Sequence, residues 1–282
     1  MPRLIDGKKI ALEIKNELKV KVEELKQQEK DVCLAVIQVG NDAASTVYVN
    51  GKKKDCEYIG IKSLSYELPE ETTENELLDL IGKLNGDINV HGILVQLPLP
   101  SHMNEEMITQ AISPEKDVDG FHEMNIGKLC IGENGFECCT PAGIIQLLKR
   151  SGIEIAGKEC VVIGRSNNVG KPTALLLLRE NGTVTIAHSH TENLKEITKR
   201  ADIVVAAIGK PKFITKEYLK QGAVVIDVGI HRNADNTLCG DVDFDDVAET
   251  VSAITPVPGG VGVMTRAMLM YNCVSAVYRE AL

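Results

Sequence analysis

The stretch ECVVIGRSNNVGKPTALLLLRENG, Glu159 to Gly182, decides how the chain is read. A short apolar run enters a glycine loop, and the loop opens an amphipathic segment with a proline near its start. This order predicts strand, turn and helix. The loop fits neither common phosphate template. A P-loop has four residues between its glycines and then Lys-Ser or Lys-Thr, whereas five residues separate Gly164 from Gly170 here and Pro172 follows Lys171. The G-x-G-x-x-G fingerprint is also absent. The strand-to-helix context is nevertheless the one a dinucleotide site requires. Gly164 can make the tight turn, and Gly170 lets the backbone approach a phosphate. A pyrophosphate would then sit among the unpaired N–H groups of the helix start. An ordinary glycine-containing loop has the same spacing, so the loop alone does not separate the two readings.

The next predicted strand, TVTIAHS, sharpens the choice. An NAD site places Asp or Glu about 20 residues on, at the end of that strand, to bind the ribose 2′-hydroxyl. Here the strand runs into His188, Ser189, His190 and Thr191, with no carboxylate. Arg165 lies in the loop itself, and its planar guanidinium suits a 2′-phosphate. The residues favour NADP over NAD. His188 and His190 share one face of a strand and are the one hint of metal ligation. No third ligand accompanies them, so no metal is expected.

Working outward, helix and strand patterns alternate from end to end, with no internal repeat. Asp6 can cap a helix whose stripe is Ile10, Ile14, Leu18, Val22 and Leu25. VCLAVIQVG reads as a strand covered on both faces. A helix over 43–58, a strand at IKSLSYEL and a helix at TTENELLDLIGKL follow, with Thr73 and Glu76 placed for a capping box. VHGILVQLPLP is a buried strand stopped by Pro98 and Pro100, and NEEMITQAI is a short helix. Residues 114–137 carry turn chemistry and weak periodicity. Beyond them come TPAGIIQLLKR as a helix, DIVVAAIG and AVVIDVG as further strands, and a last helix over 264–281. The pattern predicts an α/β protein of two lobes, each with a mainly parallel sheet. The expected division is an N-terminal catalytic lobe over 1–137 and a Rossmann-like lobe over 138–263, with the helix 264–282 packing back on the first.

Composition bounds the function. The chain has 282 residues, 44% apolar and 25% charged, which suits one large globular domain or two ordinary ones. No apolar run reaches the ~18–20 residues of a membrane span, and MPRLIDGKKIAL has neither a secretory h-region nor transit-peptide composition. A formal charge of -9 argues against a nucleic-acid partner but not against a small anion in a basic pocket. Eight cysteines form no C-x-x-C pair, and several lie in apolar runs. They read as free thiols in a reducing compartment, so the expected location is the cytoplasm.

Three further segments carry chemistry. In STVYVNGKKKDC, Tyr48 and Lys52 fall on one face of the predicted helix. A solvated Lys52-Lys53-Lys54 run with a packing tyrosine explains them equally simply. Gln96 is polar at the end of the apolar strand GILVQLPLP, so it needs a partner or belongs to a site. KDVDGF offers Asp117 and Asp119, for which an Asp-Gly turn is the plain alternative. Ligand groups collect at the C-terminal ends of parallel strands, so a lysine, a glutamine and an aspartate could converge there.

Together these strings closely resemble the bifunctional methylenetetrahydrofolate dehydrogenase/cyclohydrolase family. The matching stretches are STVYVNGKKK, GILVQLPLP, KDVDGF, CTPAGI, VVIGRSNNVGKP, TVTIAHSHT, GDVDF and ITPVPGGVG-MT, in the family's order over residues 45–265. The resemblance implies a folate-binding catalytic lobe, an NADP-binding Rossmann-like lobe and a cleft between them. It implies oxidation of 5,10-methylenetetrahydrofolate by NADP⁺ and hydrolysis of the methenyl product to 10-formyltetrahydrofolate. It makes Lys52 the key group of hydrolysis, Tyr48 the ring stacked on folate, Gln96 the partner that tunes Lys52, and Asp119 the anchor of the pterin. Pro258, Gly259 and Gly260 fall with the substrate. Gly164, Arg165, Ser166, Gly170, Ser189, Thr140 and Ile230 fall with the cofactor. The resemblance also implies a homodimer. Three positions depart from the family: Val263 where proline is usual, Arg266 where a small or apolar residue is usual, and His190 where Arg or Lys is common. Val263 and Arg266 leave open a dehydrogenase without hydrolysis, and His190 a weaker NADP preference. A P-loop phosphotransferase is disfavoured by the loop spacing and Pro172.

Overall fold

The structure is a computed structural model that describes residues 2–279. Its elements in chain order begin β1 (Arg3–Leu4), α1 (Gly7–Gln27), β2 (Cys33–Val39), α2 (Ala43–Ile59), β3 (Lys62–Leu68), α3 (Glu74–Gly86) and β4 (Gly92–Val95). Three helices follow, α4 (Glu105–Ala111), α5 (Glu123–Ile131) and α6 (Cys139–Arg150). Next come β5 (Glu159–Ile163), α7 (Gly170–Arg179), β6 (Thr183–Ala187), α8 (Leu194–Thr198), β7 (Ile203–Ala206) and β8 (Val224–Asp227). The chain ends with β9 (His231–Arg232), β10 (Leu238–Cys239), α9 (Phe244–Val247), β11 (Ala253–Ile254) and α10 (Val261–Arg279). The last three residues of the helix expected at the C-terminus lie outside the described residues.

Two compact units emerge. One comprises Leu12–Cys139 and the residues from Arg266 on. Its sheet is three parallel strands in the order β3-β2-β4. β2 is central and every residue in it is buried, including Gln38, whose amide donates to Gly40 O at 3.2 Å and Thr46 Oγ1 at 3.0 Å. One β2 face, Cys33, Ala35, Ile37 and Val39, packs with Leu77, Ile81 and Leu84 of α3. Those three leucine and isoleucine positions follow helical spacing and define the face α3 buries. The capping box that starts α3 is complete: Glu76 N–H donates to Thr73 Oγ1 at 3.3 Å, and Thr73 N–H donates to Glu76 Oε2 at 2.8 Å. α2 is capped by Asp42, whose carboxylate accepts from Ser45 N–H at 2.8 Å.

The other unit comprises Met1–Ala11 and Thr140–Thr265. Its sheet has six strands, all parallel, in the order β1-β11-β8-β7-β5-β6. The first strand of the chain is therefore an edge strand of this sheet, paired with β11. β5 has β6 on one side and β7 on the other, so the connections reverse direction at β5. Open α/β sheets bind ligands at such a switch point, beyond the strand C-termini, and GRSNNVG is the loop that leaves β5 there. β9 and β10 form a small antiparallel hairpin after β8. Among the described residues, no helix is long and apolar enough to cross a membrane.

Candidate active site

Tyr48, Lys52 and Asp55 follow helical spacing along one face of α2. Tyr48 is 46% exposed, whereas Lys52 is buried. Lys52 is thus no part of a solvated charge run. Its Nζ donates to Gln96 Oε1 at 2.9 Å. Gln96 stands just past the end of β4, where its backbone N–H still donates to Ile37 O of β2 at 2.8 Å. Its own amide nitrogen donates to Leu97 O at 2.6 Å, which turns Oε1 toward the lysine. The glutamine therefore presents an uncharged acceptor to the amine.

The KDVDGF loop divides its two carboxylates. Asp117 is buried and accepts from Gly120 N–H at 3.1 Å, His122 N–H at 2.8 Å and Asn125 Nδ2 at 2.9 Å. It holds the loop. Asp119 is left for the site, beside Lys52 and the Cys139 thiol. Burial pushes the Asp119 carboxyl up to about 6, against the opposing pull of Lys52. Burial likewise lowers Lys52 below the ordinary lysine value, against the pull of Asp119, and the Arg266 guanidinium lowers it further. Arg266 packs on this helix: its Nε lies 3.3 Å from Asp55 Oδ2, and a Cβ at Gly51 would collide with its Nη1. Asp55 also accepts from Lys15 Nζ at 3.0 Å. Val263 stands in the first turn of α10. N–H groups in a first turn lack helical acceptors, so valine and proline are both accommodated there.

The remaining sequence-predicted residues lie in the unit with six strands. Gly164 has φ 138°, and a Cβ there would collide with Ala207 O, which follows β7. A Cβ at Gly170 would collide with Gly164 O, so the second glycine lets the loop close on itself. Ser166 Oγ accepts from Val169 N–H at 3.3 Å and Gly170 N–H at 3.2 Å. Val169 offers no side-chain cap to α7, and Arg165 is exposed. The first-turn N–H groups are thus taken within the chain, since Lys171 N–H also donates to Ser166 O at 3.1 Å, and the group the loop leaves exposed for an anion is the Arg165 guanidinium. Ser189 and His190 are exposed after β6, and His190 N–H donates to His188 Nδ1 at 3.2 Å. Among the described residues, no group of three His, Cys, Asp or Glu could hold a metal ion. Thr140 Oγ1 lies 2.8 Å from Thr265 Oγ1. Ile230 Cδ1 lies 3.0 Å from where a Cβ at Gly262 would be. Gly259, with φ 106°, accepts at its carbonyl from Lys8 N–H at 3.2 Å, and Pro258 beside it is exposed. Gly260 is buried, and a Cβ there would come within 2.6 Å of Pro256 O.

Sequence reasoning left unassigned the carboxylates Asp227 and Asp241, both buried in this unit. A signal existed: each lies beside glycines in an otherwise apolar or turn-rich stretch, GDVDF and VIDVG. All eight cysteines are free, and only Cys130 is exposed among them.

Residues 138–281 match the family described as tetrahydrofolate dehydrogenase/cyclohydrolase, NAD(P)-binding domain, and residues 5–119 match its catalytic domain. The bifunctional protein FolD of Lachnoclostridium phytofermentans is 70% identical over 97% of this chain and 97% of its own. The bifunctional methylenetetrahydrofolate dehydrogenase/cyclohydrolase FolD of Campylobacter jejuni superimposes with a TM-score of 0.97 at 48% identity, covering 99% of this chain and 100% of that one. The Trypanosoma brucei methylenetetrahydrofolate dehydrogenase-cyclohydrolase, solved with NADP cofactor and an inhibitor, gives a TM-score of 0.93 at 37% identity, covering 99% and 98%. The chain belongs to the tetrahydrofolate dehydrogenase/cyclohydrolase family.

Proposed function

We propose that this chain oxidises 5,10-methylenetetrahydrofolate with NADP⁺ and hydrolyses the methenyl product to 10-formyltetrahydrofolate. In the first step the methylene carbon gives up a hydride to C4 of the nicotinamide, leaving a methenyl cation. That step needs alignment more than proton transfer. In the second, water adds to the methenyl carbon, one proton passes to N5 as its bond to carbon breaks, and the other leaves to solvent. Neutral Lys52 takes the proton from the attacking water and delivers it to N5. Tyr48 supplies a face for the folate ring and Asp119 an acceptor for pterin N–H groups. Pro258, Gly259 and Gly260 border the substrate.

The observation that carries this reading is the Lys52–Gln96 contact, with a neutral amide oxygen 2.9 Å from a buried amine. A carboxylate there would hold the lysine charged. A glutamine leaves it free to cycle. The alternative of a dehydrogenase without hydrolysis has less support, because Arg266 is engaged with Asp55 and Val263 with a helix start.

For the cofactor, Gly164, Arg165, Ser166, Gly170, Ser189, Thr140 and Ile230 form the proposed NADP site. Arg165 with no acidic residue at the end of β6 supports NADP over NAD. The Trypanosoma relative solved with NADP points the same way. We further read the protein as a cytoplasmic homodimer. Both activities assayed on one preparation, with each cofactor, test the proposal. The expected result is methenyl formation with a higher kcat/KM for NADP⁺ and decay of supplied methenyl substrate. Equal kcat/KM for NAD⁺ and NADP⁺ contradicts the cofactor reading, and stable methenyl substrate contradicts the hydrolase.

A further inference from the structure

Two carboxylates interlock at the C-terminal ends of β7 and β8. Asp227 closes β8 and accepts from Gly229 N–H at 2.9 Å, Asp241 N–H at 2.9 Å and Val242 N–H at 3.0 Å. Asp241 has no exposed surface. Its Oδ2 accepts from Ile208 N–H at 2.6 Å and Gly209 N–H at 3.0 Å. Its Oδ1 accepts from Lys210 N–H at 3.0 Å and lies 2.7 Å from His231 Nε2. A buried carboxylate is tolerated when donors surround it in this way. Glycines make the approach possible: a Cβ at Gly229 would collide with Asp241 N, and one at Gly240 with the Asp227 carboxylate.

The segments so joined matter for their place. Residues 208–210 leave β7 and residues 228–231 leave β8, both at the strand ends where open parallel sheets bind ligands. Ala207 O, next to the clamped amides, is the atom against which Gly164 of the nucleotide loop packs. Ile230 stands between Gly229, which donates to Asp227, and His231, which faces Asp241, and is 49% exposed.

We propose that Asp241, with His231, is a positioning residue for cofactor binding: it clamps the loops after β7 and β8 into one surface for NADP without touching the cofactor. The inference rests on the reading of this unit as the NADP site. Hydrolysis of supplied methenyl substrate consumes no NADP, and this separates positioning from general stability.

The test compares wild type, Asp241→Asn and His231→Leu by calorimetric titration with NADP⁺ and by hydrolysis without cofactor. Asp241→Asn turns one acceptor into a donor that faces backbone N–H groups. It is expected to weaken NADP⁺ binding about tenfold or more, to raise the KM for NADP⁺ more than it lowers kcat, and to leave cofactor-free hydrolysis within about twofold. His231→Leu removes one of four contacts and is expected to weaken NADP⁺ binding about threefold. It keeps the proposal testable if Asp241→Asn does not fold. Unchanged NADP⁺ affinity in the variants, or a parallel fall of affinity and hydrolysis, overturns the inference. Wild type that fails to bind NADP⁺ overturns the cofactor reading beneath it.

Discussion

At Lys52 opposing forces meet. Burial and the Arg266 guanidinium favour the neutral amine, and the Asp119 carboxylate favours the ammonium. The lowering wins, so the neutral fraction exceeds that of an exposed lysine at the same pH. Hydrolysis is therefore expected to rise with pH about a midpoint below the ordinary lysine value. Arg266→Met removes a positive neighbour, which favours the ammonium, and leaves Asp55 paired with Lys15 alone. The midpoint should move to higher pH, and at any pH below it the rate should fall about tenfold for every pH unit it moves. A pH profile on supplied methenyl substrate checks this, and an unmoved midpoint contradicts it. Asp119 provides a second readout. Its folded value, about 6, lies above the ordinary carboxylate value, so the folded state holds this proton more tightly than the unfolded chain does. Ionisation then opposes folding: the effect is absent below about pH 4 and complete above about pH 6. Relative to wild type, Asp119→Asn should gain stability as pH rises across that window. Denaturant unfolding at both ends measures it, and a relative loss would refute the burial argument.

At the scale of the element, the loop after β5 depends on backbone freedom. Gly164→Ala forces a side chain into φ 138° and against Ala207 O. It should destabilise by more than about 1 kcal/mol and weaken NADP⁺ binding. Denaturant unfolding and titration would show both, and unaltered values would contradict the loop's role. This loop, α1, β2 and the Thr73–Glu76 box were legible because period, caps and glycines all agree locally. Other elements left little local signal. β1 and β11 have two residues each and exist because a sheet edge pairs them. α5 is capped by His122, whose Nδ1 accepts from Met124 N–H at 3.1 Å, and histidine is not a usual capping residue. The site shows the same division. Lys52, Gln96 and Asp119 could be singled out as chemistry-bearing residues, but the split between a structural Asp117 and an available Asp119 could not. It depends on Asn125, a buried residue of α5 that reaches back to the loop. Asp241 was hidden because its partners lie on segments far apart in sequence.

At the scale of the whole molecule, both units use parallel βα construction and present their functional loops at strand C-termini. The residues proposed for hydrolysis lie on α2, just past β4 and in the loop of Asp119, and those proposed for NADP follow β5, β6 and β8, with Thr140 at the start of α6. The proposed homodimer predicts a solution mass of twice 30.7 kDa by light scattering. A mass of one chain would contradict it.

The central claim is that Lys52 performs the proton transfers of hydrolysis. Lys52→Met, assayed for decay of supplied methenyltetrahydrofolate beside NADP⁺-dependent oxidation, tests it most directly. The account predicts that hydrolysis falls by ~100-fold or more, the range a general base supplies, while oxidation remains measurable. Hydrolysis at the wild-type rate would contradict it.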